Sequence, residues 1–255
     1  MITDLREFAT SKGIELKNQT EIAEEASKIV AARQNFDTHQ IKQNFDALIG
    51  ETEKETYAVY LKYEQEYGGA VFQAFVNHLK ETGELKDFSE IGAVLGKHFA
   101  LFDKFFLSLA QGRKARAGKS FESIHNSLFK VLNYPFQEQV VINGKPDFLM
   151  PSAEHYNKNA MDCIIFTAKR TLRERWRQIV TEGTRGLGFY LATIDEKVSD
   201  NQVEEMRNHR IYLVVPEAIR KTCYEKHVNV ISFQTFFTDH LDPAVHRWER
   251  NGVVR

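Results

Sequence analysis

Two neighbouring β-strands are predicted near the middle of the chain by the runs Asp147-Phe148-Leu149-Met150 and Cys163-Ile164-Ile165-Phe166-Thr167-Ala168-Lys169. Lys145 and Pro146 precede the first run, and a proline is well tolerated at the first residue of a strand. Because side chains alternate along a strand, Thr167 and Lys169 face the same side, where Asp147 can meet them across the sheet. The two runs therefore predict an acid and a lysine side by side on adjacent strands.

This acid and lysine match the needs of metal-assisted phosphodiester hydrolysis, in which carboxylates hold a hard cation and an ammonium steadies a water or the phosphate. Thr167 occupies the position where most metal-dependent nucleases of this design carry Asp or Glu, and its hydroxyl cannot supply the missing charge. Glu182, thirteen residues beyond Lys169, is the natural replacement, and Glu122 could supply a further acid. We therefore predict a Mg²⁺ site whose metal ligands are Asp147 and Glu182.

The chain from Gly118 onward alternates short apolar runs with amphipathic ones, which is typical of an α/β domain. The dipeptide Asn143-Gly144 signals a tight hairpin between the first two strands. Strands are predicted over 137–142, 147–150, 163–169, 188–193 and 211–215, and helices over 120–133, 173–182, 200–208, 217–226 and 233–240. This order predicts a mixed central sheet flanked by helices.

The first part of the chain has helical periodicity, with predicted helices over 19–33, about 51–78 and about 88–109. The second of these carries aromatic side chains at helical spacing, a pattern that usually belongs to a core: Tyr57, Tyr60, Tyr63, Tyr67 and Phe72. We predict a helical amino-terminal region over 1–110 that contacts DNA or a second subunit, and a catalytic domain over 111–255.

The composition is that of an ordinary globular protein, with 42% hydrophobic and 27% charged residues among 255. No apolar run approaches the roughly 18 residues of a membrane span, and the amino end lacks a secretory apolar region. Cys163 and Cys223 form neither a metal-ligand spacing nor a disulfide framework, and the nine histidines show no metal-ligand spacing. We expect a cytoplasmic protein with no membrane contact.

The net charge of −1 indicates no general affinity for nucleic acid, but the basic residues are clustered. One cluster consists of Arg113, Lys114, Arg116 and Lys119, and a second of Lys169, Arg170, Arg173, Arg175 and Arg177. Basic charge near a predicted active site is typical of a protein that grips phosphates locally. Solvated helix faces are the ordinary alternative for either cluster alone.

The segment Arg173-Glu174-Arg175 follows the lysine and opens the helix predicted over 173–182. Arginine can bond bidentately to guanine in the major groove, and glutamate accepts a hydrogen bond from the amino group of cytosine. The three side chains therefore match G·C pairs chemically. The structural alternative is an exposed helix start with an intrahelical ion pair.

Three blocks of this sequence together resemble the EcoRII, PspGI and SsoII group of type II restriction endonucleases, a branch of the PD-(D/E)XK superfamily. The resemblance covers roughly 111–215. The blocks are Arg113-Lys114-Ala115-Arg116-Ala117-Gly118-Lys119-Ser120-Phe121-Glu122, Lys145-Pro146-Asp147-Phe148-Leu149, and Thr167-Ala168-Lys169-Arg170-Thr171-Leu172-Arg173-Glu174-Arg175-Trp176-Arg177-Gln178. In this branch the last carboxylate of the motif has moved onto the neighbouring helix.

The resemblance implies a Mg²⁺-dependent prokaryotic enzyme that cuts double-stranded DNA at a CC-centre-GG site. Its centre would be one unspecified or A/T pair. The catalytic positions match Asp147, Lys169, Glu182 and, as an additional acid, Glu122, and the base-reading positions match Arg173, Glu174, Arg175 and, in the minor groove, Gln111. A homodimer and a cognate cytosine methyltransferase are expected with it. An odd central pair could be flipped out and stacked on one of the five aromatic residues of the second helix.

Three other functions are possible interpretations of this sequence. The run Gly112 to Ser120 ends in Gly-Lys-Ser like an ATPase phosphate loop, but it has five rather than four residues between its glycines and follows a helical run. A different PD-(D/E)XK nuclease, for repair or structure-specific cleavage, would use the arginines to grip the backbone. In a non-catalytic DNA-binding module, Asp147 and Lys169 would be purely structural.

Overall fold

The computed structural model describes residues 2–142, 145–172 and 188–254, including every side chain in these ranges except those of 114–120. Its centre is a six-stranded sheet in which the spatial order of the strands equals their order along the chain. The strands are β1 (Gln137–Glu138), β2 (Phe148–Met150), β3 (Ile164–Ala168), β4 (Gly188–Ala192), β5 (Ile211–Val215) and β6 (Val230–Ser232).

The sheet is mixed, as the sequence predicted. The first three strands pair antiparallel, while β3, β4, β5 and β6 run parallel. Phe148 pairs with Phe166, and Ile165 pairs with Phe189. Both faces of the central strands β2 to β5 are covered, which explains why these strands are almost continuously apolar instead of alternating with polar residues.

The amino-terminal part is helical, as predicted. Its last helix ends at Val131, shortly before the first strand of the sheet. The helices are α1 (Leu5–Ser11), α2 (Gln19–Arg33), α3 (Thr38–Gln43), α4 (Phe45–Glu81), α5 (Ile91–Lys97) and α6 (Phe99–Val131). The helix predicted over 19–33 is confirmed, and the side chain of Asn18 caps it in a capping box with Glu21. The helix predicted over 51–78 extends in both directions to form α4.

Helix α6 corrects the sequence prediction of separate helices at about 88–109 and 120–133. The residues between them include Ala115, Arg116 and Ala117, which are good helix formers, so the backbone continues without a break. The break lies earlier, at His98, between α5 and α6. The boundary predicted between residues 110 and 111 falls inside α6.

The remaining helices fill the connections between strands and the carboxyl end. They are α7 (Ala153–Asn159), α8 (Asp200–Asn208), α9 (Glu217–Cys223) and α10 (Asp242–Arg250), and α10 follows a π-helix over Phe236–Leu241. None of the helices in the described ranges combines the length and the apolar character that a membrane span requires.

Two cores cover the sheet, and a third and a smaller fourth core lie within the helical region. One core joins Phe45 of α4 and Phe129 of α6 to Phe166 of the sheet. The opposite face packs Leu149 and Ile165 against residues of α8 and α9. The third core includes Phe8, Phe75 and Phe105 from α1, α4 and α6. Helices α4 and α6 therefore belong both to the helical region and to the layer that supports the sheet.

One strand prediction was wrong in extent, and one strand was missed. The strand predicted over 137–142 ends after Glu138, because Gln139 adopts a left-handed backbone conformation with φ of 50° that is incompatible with a continuing strand. The strand β6 was not predicted, since its three residues give too short a periodic signal. The hairpin at Asn143-Gly144 and the helix over 173–182 lie outside the described residues.

Candidate active site

Asp147 and Lys169 meet at the ends of adjacent strands. The Lys169 Nζ donates to Asp147 Oδ1 at 3.0 Å and to Oδ2 at 2.9 Å. The antiparallel register of β2 and β3, continued by one residue, places Asp147 opposite Thr167. The predicted meeting of the acid and the lysine across the sheet is therefore present in the structure.

The Asp147 carboxylate is fixed by the backbone of the neighbouring strand as well as by the lysine. Its Oδ2 accepts a hydrogen bond from the backbone N–H of Ala168 at 2.8 Å. The backbone N–H of Asp147 donates to the Thr167 Oγ1 at 3.4 Å, and both residues are buried. Thr167, which lacks the charge expected at its position, thus serves as an acceptor that holds Asp147 in place.

Glu122 approaches the same site from helix α6. Its Oε2 lies 3.9 Å from Lys169 Nζ, and its Oε1 accepts a long hydrogen bond of 3.5 Å from the Gln139 side chain. Burial, followed by the negative charge of Asp147, raises the pKa of Glu122, while the charge of Lys169 opposes that shift. The two carboxylates therefore face one site, where the lysine ammonium and the Gln139 side chain moderate their repulsion.

These donors fit a hard divalent cation. Burial and the charge of Asp147 together raise the pKa of Glu122, and a cation beside the two carboxylates would relieve their repulsion; carboxylate oxygens are the ligands that Mg²⁺ takes. Among the described residues, no group of three or more His, Cys, Asp or Glu side chains is placed to hold a metal. Glu182, the third acid predicted from the sequence, lies outside those residues.

Most of the predicted DNA-reading side chains also fall outside the described part of the chain. Arg173, Glu174 and Arg175 belong to 173–187, for which the structure gives no description. Three predicted basic residues lie on the backbone of α6, but their side chains are not described: Lys114, Arg116 and Lys119. Gln111 and Arg113 are exposed on α6.

Arg113 is held by a carboxylate of the neighbouring helix α4. Its Nε lies 3.0 Å from both carboxylate oxygens of Glu64, and its Nη2 also donates to Oε1. The hydroxyl of Tyr60 donates to the other Glu64 oxygen. This pairing raises the pKa of Arg113, so its guanidinium stays charged and oriented while its side chain remains 43% exposed.

The five aromatic residues predicted on α4 differ sharply in their surroundings. Tyr60 and Tyr67 are buried, Phe72 packs against Phe102 and Phe105, and the Tyr63 hydroxyl donates to Glu25 at 2.6 Å. Tyr57 is 57% exposed. It is therefore the one ring of the five that presents most of its surface to solvent.

Three contacts at this site were missed by the sequence prediction. Gln139 donates its backbone N–H to the Asp147 carbonyl at 3.1 Å and its side chain to Glu122, so it joins the two acids. Arg170, the residue after the lysine, forms an ion pair with Glu53, one helical turn before Tyr57 on α4. The basic cluster around Lys169 pointed to Arg170, but nothing in the sequence indicated Glu53 or Gln139.

The fold of this chain is that of the PD-(D/E)XK restriction endonucleases. It has a mixed sheet flanked by helices, an aspartate and a lysine at the ends of adjacent strands, and a glutamate that reaches the same site from a helix. Solved structures with the same fold include metal-depleted Ecl18kI in complex with uncleaved DNA, with a TM-score of 0.67 and 21% identity over 98% of this chain and 86% of that one. The PspGI–substrate DNA complex has a TM-score of 0.62 and 19% identity over 91% of this chain and 96% of that one.

The chain belongs to the EcoRII C-terminal family, whose model matches residues 80–237. The type II restriction enzyme EcoRII of Escherichia coli is 35% identical over 137 residues, which are 50% of this chain and 34% of that enzyme. The type II restriction enzyme SsoII of Shigella sonnei is 31% identical over 148 residues, 53% of this chain and 48% of that enzyme. The matched part thus spans less than half the length of these relatives.

Proposed function

We propose that this protein is a type II restriction endonuclease that uses Mg²⁺ to hydrolyse double-stranded DNA at a CC-centre-GG site. The observation that carries the proposal is the contact of Lys169 with Asp147, with Glu122 beside them, in a chain of the EcoRII C-terminal family. A purely structural ion pair would not need a second carboxylate that burial and like charge make costly to ionise.

In this proposal each residue of the site has a separate task. Asp147 and Glu182 hold the metal ion, and Glu122 adds a further carboxylate to the site. Bound Mg²⁺ supplies charge stabilisation for the phosphate that is attacked. Lys169, held between the two carboxylates, places its ammonium where it can steady the attacking water or a phosphate oxygen.

Base reading is assigned to the segment that follows the lysine. Arg173 and Arg175 can donate bidentately to guanine, and Glu174 can accept from cytosine, which together match CC:GG pairs. Gln111, which is exposed on α6, is assigned to a minor-groove contact in this proposal. A near-palindromic site is read most simply by two symmetric copies, so the active form is a homodimer, and a cytosine methyltransferase protects the host sites.

Digestion of plasmid DNA tests this function directly. Purified protein with Mg²⁺ is expected to give discrete fragments, and mapping their ends identifies the recognition site. A smear would indicate a nonspecific or structure-specific nuclease. Absence of cutting in Mg²⁺, combined with retained DNA binding, would indicate a binding module. Methylation of the mapped site at cytosine should block the fragments, which checks the link to a methyltransferase.

Replacing Arg173 by alanine is expected to cost on the order of 1–3 kcal/mol of binding to the mapped site, because one bidentate base contact is lost. Binding to random DNA should hardly change, since phosphate contacts carry no sequence information. Titration of labelled cognate and random duplexes at one salt concentration measures both values. Equal losses on the two duplexes would contradict base reading by Arg173.

We further propose that the central base pair is flipped out and that Tyr57 stacks on an extruded base. Two identical halves that each read CC:GG can approach in one geometry if the odd pair between them leaves the stack. Flipping costs a few kcal/mol, and stacking on an aromatic ring is worth a comparable amount. The exposure of Tyr57 and the burial of Tyr60 and Tyr67 single out this ring.

A duplex with 2-aminopurine at the centre of the site is expected to become brighter when it binds the protein with Ca²⁺ in place of Mg²⁺. Tyr57→Ala should alter the brightness at saturation, because the extruded base loses its stacking partner. Tyr63→Ala is the matched control, since that ring is held by Glu25. Fluorescence at the stacked-duplex level with saturating protein would exclude flipping while leaving the nuclease assignment intact.

A further inference from the structure

The segment that leaves strand β3 after Lys169 is held by the loop that leaves strand β4. The Thr193 hydroxyl donates to the Arg170 carbonyl at 3.2 Å. Two residues on, the backbone N–H of Leu172 donates to the Asp195 Oδ2 at 2.9 Å. These contacts prolong the pairing of the two strands beyond the last backbone hydrogen bond between them, from Lys169 to Ala192.

Asp195 is itself held on three sides. Its second carboxylate oxygen accepts the N–H of Lys197 at 3.0 Å, and its own N–H donates to the Thr193 hydroxyl at 3.1 Å. The Tyr224 hydroxyl donates to the Asp195 carbonyl at 2.6 Å and accepts from the N–H of Val198 at 3.1 Å. The loop is thus tied to a buried side chain at the end of α9.

Tyr224 is suited to this task because it is 2% exposed and lies in the core beneath the loop. Burial raises the pKa of Tyr224 to about 12, so its hydroxyl remains a donor throughout the physiological range. Leu172 is 1% exposed in the same core. Tyr224, which braces the loop, and Leu172, which the loop holds, therefore pack in the same core.

Leu172, which Asp195 holds, lies in the chain between the lysine and the predicted base-reading residues. Lys169 lies three residues before it, and Arg173, the first residue assigned to base reading, follows it directly. The lysine end of this short connection is fixed by Asp147, and the other end is fixed by Asp195. The backbone between Lys169 and Leu172, which leads into the reading segment, is thus held at both ends by an aspartate.

We propose that Asp195, braced by Tyr224, is a positioning residue that fixes the start of the base-reading segment relative to the catalytic Lys169. This inference rests on the proposed function. Asp195 touches neither DNA nor metal in this scheme. It acts through Leu172, so its loss should affect the choice between correct and altered sites more than the stability of the fold.

The test compares specificity constants for two duplexes, one with the mapped site and one with a single outer G·C pair changed. Asp195→Ala is expected to reduce the ratio of the two kcat/KM values by about tenfold, because a misplaced reading segment loses discrimination of the size of one base contact. Asp195→Asn should restore part of the ratio, since its one amide oxygen can still accept the part-buried Leu172 N–H, while the exposed Lys197 N–H, which loses its acceptor, can bond to water.

Tyr224→Phe is expected to lower the ratio in the same direction by a smaller factor, and it keeps the test decisive if Asp195→Ala folds poorly. The matched control is Tyr134→Phe, which removes another partly buried hydroxyl, bonded to Asp242 at 2.6 Å and remote from this loop. It should lower the melting temperature without changing the ratio.

Three outcomes would overturn the inference: an unchanged ratio in Asp195→Ala and Tyr224→Phe, an Asp195→Asn variant as poor as Asp195→Ala, or a control that changes the ratio equally. Failure of the proposed function is distinguishable, because then the wild-type protein itself would not discriminate between the two duplexes.

Discussion

Asp147→Ala is expected to lower the rate of DNA cleavage in Mg²⁺ by a factor on the order of 10³ or more, while binding to the mapped site survives. The lost carboxylate is the one that the lysine and the Ala168 N–H hold rigidly at the centre of the site. A metal ligand acts mainly on the transition state, so its loss removes several kcal/mol of stabilisation and leaves base contacts intact.

Lys169→Ala should have an effect of similar size, because Asp147 then loses its partner and the phosphate loses its ammonium. Single-turnover cleavage rates and gel-shift titrations with Ca²⁺ measure the two properties separately. Asp103→Ala, which removes an exposed carboxylate of α6, and Lys158→Ala, which removes a lysine 70% exposed, are the controls. Cleavage near the wild-type rate in either site variant would show that the site has been assigned to the wrong residues.

Glu182→Ala is expected to depress cleavage about as severely as Asp147→Ala, and Glu182→Gln nearly as much, since an amide oxygen carries no charge. The reason lies in Thr167, whose hydroxyl is engaged with the backbone of Asp147 and cannot replace a carboxylate. The same single-turnover rates, measured over a range of Mg²⁺ concentrations, would show whether added metal rescues the variant.

Comparing Glu122→Ala with Glu182→Ala shows which of the two glutamates is the more important for cleavage. Glu122 lies near Lys169 but makes only a long ion pair with it, so we expect a smaller loss than for Glu182. Glu154→Ala, at a glutamate 79% exposed on α7, controls for the loss of a surface carboxylate. If Glu182→Ala were nearly neutral and Glu122→Ala severe, the role of metal ligand would pass to Glu122.

The central strands and the meeting of Asp147 with Lys169 could be predicted from the sequence because both depend on local rules. Apolar runs after a proline define the strands, and alternation defines which side chains share a face. The structure then places Asp147 opposite Thr167 in the antiparallel register of β2 and β3. The mixed sheet and the helical amino-terminal region were predictable for the same reason.

The contacts between distant segments could not be predicted in this way. Gln139 reaches Glu122 only because its backbone turns to a positive φ, and no preference of glutamine signals that conformation. The pairs Arg113 with Glu64 and Arg170 with Glu53 join residues 49 and 117 positions apart. Such pairs depend on how α4 packs against α6 and the sheet.

The aromatic residues of α4 show what helical periodicity alone cannot predict. Helical spacing places Tyr60 and Tyr67 on apolar faces and Tyr57 nearby, and periodicity alone treats the three rings alike. Only packing separates a ring that fills a core from one that faces solvent. The long helix therefore had to be placed against its neighbours before one candidate for stacking on a base could be selected.

Helix α6 has a mechanical consequence because it runs for 33 residues without a break. Gln111 and Glu122 lie eleven residues apart on it, which is about three turns or about 16 Å along the axis. A continuous helix moves along its axis as one rod, so if Gln111 enters a DNA groove as proposed, its displacement is expected to shift Glu122 at the acidic site by a similar amount. Helix α6 would then couple DNA recognition by Gln111 to the position of Glu122 in the active site.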